Sequence, residues 1–167
     1  MKRWLLILWA MIALTALSLA SPLAATAKAG TRGLDPTTQQ YIDVLVPNLT
    51  AVTNASSAEH HPCYHVVNGP ATAKCQRLHA ALAAATKKTI DALSKVAVPG
   101  KLLGADKELK AALAACLARF NADSKAVAAH AYEKFRGIHG TSLASRFNNA
   151  VIAITRLVPG TYVPLVD

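Results

Sequence analysis

The chain has 167 residues, a formal net charge of +9 and a hydrophobic share of 53%, with only 5% aromatics. This length suits one ordinary domain behind a leader, and three cysteines are too few for a cysteine-framed scaffold. Alanine is roughly one residue in five, far above ordinary usage, and alanine is the best helix former.

The first predicted element is a leader. Lys2 and Arg3 precede an uncharged, mostly apolar run from Trp4, and Ala25-Thr26-Ala27 offers small residues before Lys28. This is the pattern of a secretory signal peptide spanning 1–27, removed after Ala27. The uncharged stretch from Trp4 to Ala27 is also long enough to span a bilayer, so an uncleaved membrane anchor is the alternative. Cleavage removes Lys2 and Arg3 and lowers the net charge of +9 by two. The mature chain is expected outside the cytoplasm, secreted or held in the envelope. Residues 28–34 are expected as a flexible lead-in.

The first helix starts at Asp35-Pro36, an N-cap aspartate before proline at the first helical position. Tyr41, Leu45, Leu49 and Val52 follow at helical spacing. Pro47 lies within that stripe and predicts a kink or restart, and Asn54–Ser57 is expected to close the segment. A histidine-rich loop is expected next, with His60, His61, Cys63 and His65 inside six residues.

The second helix is predicted from Gly69-Pro70 to Val96 or Ala97. Cys75, Leu78, Leu82, Thr89, Leu93 and Val96 make its apolar stripe, and Val98-Pro99-Gly100 stops it. The third runs from Asp106, or from Lys101 through Gly104, to a stop at Arg136-Gly137. Leu102, Leu109, Leu113, Cys116, Phe120, Val127, Ala131 and Phe135 share one face. His130 falls at the edge of that face, as a partly buried histidine, and His139 in the following glycine loop. The fourth opens near Thr141-Ser142 and ends at Pro159-Gly160, with Leu143, Phe147, Val151, Ile154 and Leu157 inward. An extended tail, 159–167, follows.

Each helix is apolar on one side only, and short connections favour antiparallel neighbours. The predicted fold is therefore all-α, an up-down antiparallel four-helix bundle over residues 35–158.

Export permits disulfides. Cys63 with Cys75 would close a short loop around Asn68-Gly69-Pro70, which reverses the chain well. In a symmetric turn near Pro99, Cys75 and Cys116 sit out of register by about 9 Å at 1.5 Å per residue, beyond the reach of a disulfide. The Cys63–Cys75 pairing is expected, with Cys116 a buried thiol. The two pairings that use Cys116 are the alternatives.

Imidazole and thiolate suit copper and zinc, and Cys75 and His79 stand one helical turn apart. With the cysteines oxidised, a metal or haem site would rest on His60, His61, His65 and His79. That is the alternative function, with copper, zinc or haem as cofactor. C-x-x-C-H is absent, so covalent haem attachment has no support. No nucleophile elbow, H-E-x-x-H pair or P-loop occurs, so catalysis is not expected. An enzyme with an unrecognised site is a further alternative.

Arg77, Lys88 and Lys95 form a basic stripe on the second helix, joined by Lys107 and Lys125 on the third. Without aromatic stacking positions or a recognition motif, nucleic acid is not the expected partner. An anionic envelope polymer or lipid is. The leading expectation is a small exported binding or structural protein.

The segment LSKVAVPGKLLGADKELKAAL, Leu93–Leu113, puts a V-P stop ahead of a long alanine-rich helix. With the leader and the cysteines around a helix start, it resembles exported alanine-rich helical-bundle proteins of bacteria, actinobacteria-like ones in particular. The resemblance covers residues 60–157 and implies the bundle and export, but no activity. Plant invertase-inhibitor domains are similar in architecture only.

Overall fold

Asp35 opens the first helix with both carboxylate oxygens. Oδ1 accepts from the Thr38 backbone N–H at 2.9 Å and Oδ2 from the Thr38 hydroxyl at 2.6 Å. The computed structural model describes residues 33–64, 70–131 and 141–166. The leader, His65, Phe135 and His139 lie outside the described residues.

Four helices follow in order: α1 Pro36–Tyr64, α2 Pro70–Leu93, α3 Leu103–Ala128 and α4 Ser142–Leu157. A single 3₁₀ turn, Gly100–Leu102, leads into α3. Backbones of successive helices approach within 8 Å, α1 to α2, α2 to α3 and α3 to α4. The protein is an all-α four-helix bundle. One core joins Tyr41, Leu45, Leu49, Leu82, Leu93, Leu113, Phe120, Phe147 and Ile154 from all four helices.

The structure departs from the sequence expectation in α1. No restart occurs at Pro47, and Asn54–Ser57 does not end the helix, which runs 29 residues through both Pro47 and Pro62. An interior proline loses one hydrogen bond and costs about 3 kcal/mol. Here the buried stripe lies on both sides of Pro47 and binds α1 to α2, so breaking the helix would expose Leu49 and Val52. Asn48 Nδ2 also donates to the Val44 carbonyl at 2.7 Å beside the proline. Residues 60–64 are therefore the last turns of α1, and not a loop.

Buried threonines on α2 keep the close α1–α2 contact satisfied. Thr86 donates to the Leu82 carbonyl at 2.8 Å. Thr89 donates to Ala85 at 2.8 Å and lies 3.2 Å from the Asn48 carbonyl across the interface. Small hydroxyl side chains that bond back one turn let two helices approach without orphaned groups. The α2 helix ends at Leu93, a few residues before the expected Val96.

The third helix stops at Ala128, well before Arg136-Gly137. Its end is a Schellman motif: Ala131 N–H donates to the Ala126 carbonyl at 2.8 Å, and His130 N–H to Val127 at 3.1 Å. His130 takes the left-handed position, at φ 55°, and is exposed. It is thus a cap residue and not the partly buried histidine that the stripe suggested.

The fourth helix begins as expected, with the Thr141 hydroxyl accepting from Leu143 N–H at 3.2 Å. Beyond it, the segment expected only as an extended tail contributes to the core. Val158, Val163 and Val166 are buried. Asn148 clasps Val166 twice, its Nδ2 donating to the carbonyl at 2.6 Å and its Oδ1 accepting the N–H at 3.0 Å.

Candidate functional site

At one end of the bundle the last turns of α1 meet the first turns of α2. Glu59 and Cys63 are one turn apart on α1, and Cys75 and His79 one turn apart on α2. Antiparallel packing sets Cys63 against Cys75 and Glu59 against His79. The two cysteines form a disulfide with Cα atoms 5.1 Å apart, inside the ordinary range. His79 Nε2 lies 3.1 Å from Glu59 Oε1. All four residues are buried, none more than 3% exposed. Val127 from α3 packs on the disulfide, with Leu78 at its flank.

Burying a carboxylate and an imidazole together is tolerable because they face each other. The ligand atoms of Cys63, Cys75 and His79 all lie within 4.8 Å of one another. Among the described residues, this is the group of histidine, cysteine and acidic side chains that converges on one point.

Of the expected histidines, His79 stands in the buried cluster and His60 is partly exposed on α1. The side chain of His61 and the whole of His65 lie outside the described residues. Sequence reasoning missed Glu59, although an acid four residues before Cys63, matched by a histidine four residues after Cys75, was a readable signal once the disulfide was assumed. Cys116 is free and buried, as expected. Burial pushes its thiol up to about 11, so it stays protonated and unreactive near neutrality.

The opposite end holds α1's start, α2's end, α3's start and α4's end. Tyr41 O–H donates to Asp106 Oδ1 at 2.8 Å, and Lys110 Nζ lies 2.7 Å from Asp106 Oδ2. Of the two starts expected for α3, the one running through Gly104 is observed: the helix begins at Leu103, and Asp106 lies in its first turn and ties α3 to α1. Burial, and then the Asp106 carboxylate, push the Tyr41 phenol well above its ordinary value.

The rim of this end is apolar and basic. Leu103 is 58% exposed, Leu157 44% and Tyr162 80%. Lys95, Lys101 and Arg156 are exposed beside them. Asp35 also lies on this rim, held below the ordinary carboxylate range by the Thr38 bonds and by the positive charge of Lys101. A groove of about 710 Å³ runs from here between α3 and α4, lined by Gly104, Ala105, Ala153 and Leu157. The exposed Glu108–Arg146 pair, at 3.4 Å, also lines it.

The basic stripe is exposed as expected, with Arg77 and Lys88 along α2 and Lys95 just beyond its end. Arg77 stands toward the disulfide end, so the three residues do not make one local patch. No helix among the described residues is long and apolar enough to cross a membrane. No family model matches the chain, and neither a curated protein nor a solved structure shows significant similarity to it.

Proposed function

We propose that the chain is an exported helical bundle that acts by binding, and that it rests on anionic lipid through the end bearing Leu103, Leu157 and Tyr162. The carrying observation is a coincidence of place. Residues 1–32 enter the bundle through Gly33, at the same end that carries these three exposed apolar side chains and Lys95, Lys101 and Arg156. A chain released from, or held by, an apolar leader would present this end to the bilayer first.

Each half of the rim has a use at a lipid surface. Cations near an anionic leaflet contribute about 1 kcal/mol each. Leucine and tyrosine enter the headgroup–acyl boundary, with the phenol kept at the wet side. An acidic wall polymer would use the cations alone and leave the leucines idle. The disulfide and the leader pattern support an extracytoplasmic setting.

The protein in its exported form should sediment with phosphatidylglycerol vesicles at low salt. It should stay in solution with phosphatidylcholine, and release at high salt. Lys101→Glu with Arg156→Glu should lower the bound fraction about tenfold or more. Leu103→Ser with Leu157→Ser should weaken binding at both salt concentrations. Retention on purified wall polymer without any vesicle binding would sink the lipid reading.

A further inference from the structure

The disulfide end offers a chemistry that the lipid reading does not use. We propose that Cys63, Cys75 and His79 form, in the dithiol state, a buried site for a thiophilic d¹⁰ ion, zinc(II) or copper(I), which oxidation to the disulfide closes. This site is independent of the lipid-facing end, and either proposal can fail alone.

Three observations carry it. The three ligand atoms already lie within 4.8 Å of one another. A tetrahedral ion with sulfur at about 2.3 Å needs its two sulfurs about 3.8 Å apart, so a short separation of the reduced pair suffices. The donors come from two rigid elements: Cys75 and His79 from one face of α2, and Cys63 from the last turn of α1. Glu59 Oε1 stands 3.1 Å from His79 Nε2. A carboxylate on one imidazole nitrogen is the usual partner of a histidine whose other nitrogen binds metal, because it fixes the ring and its tautomer. The His79 ring would therefore present Nδ1 to the ion.

Two thiolates and an imidazole are soft donors, suited to zinc(II) and copper(I) over calcium or magnesium. Val127 and Leu78 wall the pocket with apolar surface. Copper(I) is content with these three ligands, whereas zinc(II) takes a fourth, which a water molecule can supply.

The redox step balances with a dithiol reductant. One reductant thiolate attacks a disulfide sulfur, forming a mixed disulfide and releasing one protein thiolate. The second reductant thiol then displaces the other protein sulfur. The reductant leaves as its own disulfide, two electrons poorer. The ion binds both thiolates, and their two protons go to water.

The test uses the exported protein, reduced with a dithiol that is then removed without air, and counted for three thiols. Cobalt(II), as the probe for zinc, and copper(I) are titrated against competing chelators. One ion per chain is expected, with an intense near-ultraviolet thiolate-to-cobalt band. Cys116→Ser should bind as the wild type does. His79→Ala should bind about 100-fold more weakly, Glu59→Gln about tenfold, and the oxidised protein far more weakly than either. Preference for copper over zinc is read from the two arms.

Equal binding by the reduced wild type and Cys63→Ser/Cys75→Ser overturns the proposal, as does an unaltered affinity in His79→Ala. If reduction melts the bundle, the ion should restore the helical circular-dichroism signal in the wild type but not in His79→Ala. A melted chain that the ion fails to refold also overturns it.

Discussion

Tyr41 shows what spacing alone reveals of a side chain and what it leaves out. Its place in the stripe Tyr41, Leu45, Leu49 predicts a core position, and it is fully buried. Spacing says nothing of the hydroxyl, which needs a partner in such a place. The partner, Asp106, is 65 residues away, and the sequence marked it only as one of two possible starts of α3. Asp35 differs, since its partner Thr38 is three residues on, and local chemistry named its role. Residues whose bonds are local were readable, and those paired across the bundle were not. Glu59 and His79 follow the same rule. Tyr41→Phe should lower stability by about 1–3 kcal/mol at neutral pH, leaving Asp106 short of a buried donor. The folded phenol titrates above its unfolded value of 10.0. Its contribution is therefore complete below pH 10 and lost as pH rises beyond it. Urea titrations at pH 7 and pH 10.5 should show the gap between wild type and variant narrowing at the higher pH. A constant gap would mean that the phenol ionises alike in both states.

At the scale of elements, starts were more legible than ends. Asp35-Pro36, Pro70 and Thr141 each mark a helix start by local chemistry, and each stands where expected. The ends misled because two signals were weighed without tertiary context. Pro47 reads as a kink or a restart, and the helix does not restart there, because its buried stripe packs on both sides of the proline. Arg136-Gly137 reads as a stop, but α3 turns out at His130, with no glycine to announce it. A left-handed L-residue other than glycine costs about 1 kcal/mol. Relief of this strain favours His130→Gly by about that amount and loss of the imidazole's own contact opposes it, so the melting midpoint should rise by less than the few degrees that the strain alone would give. The capping bonds use backbone groups only and survive the change. A lowered midpoint would show that the histidine side chain does more at this cap than hold a turn.

For the molecule as a whole, the up-down order followed from short connections and one-sided helices, and the Cys63–Cys75 pairing from the chain reversal between α1 and α2. The sites were less legible, because each is made at an end of the bundle from residues of different helices. The C-terminal segment was the least legible part. Val163 and Val166 stand three residues apart, a helical step, but Pro164 and the shortness of the segment after Gly160 argue against a helix, and the step does not fit a strand. Their burial is decided by the groove that the helices leave, and by Asn148, whose amide matches one backbone N–H and one carbonyl. A fully buried valine contributes about 1.5–3 kcal/mol, offset by the entropy of fixing the tail. Removing residues 162–167 should therefore lower the unfolding free energy by about 2 kcal/mol. It should also raise the urea sensitivity of α4 first, seen as faster amide exchange near Asn148 and Val151. Val163→Ala with Val166→Ala should reproduce most of the loss while keeping the Asn148 bonds. Asn148→Ala alone should lose less, since the valines can stay seated. If truncation left the midpoint unchanged while Val163→Ala with Val166→Ala lowered it, the tail would be neutral overall, its burial balanced by the order it requires. If neither changed it, these valines would contribute nothing to the core.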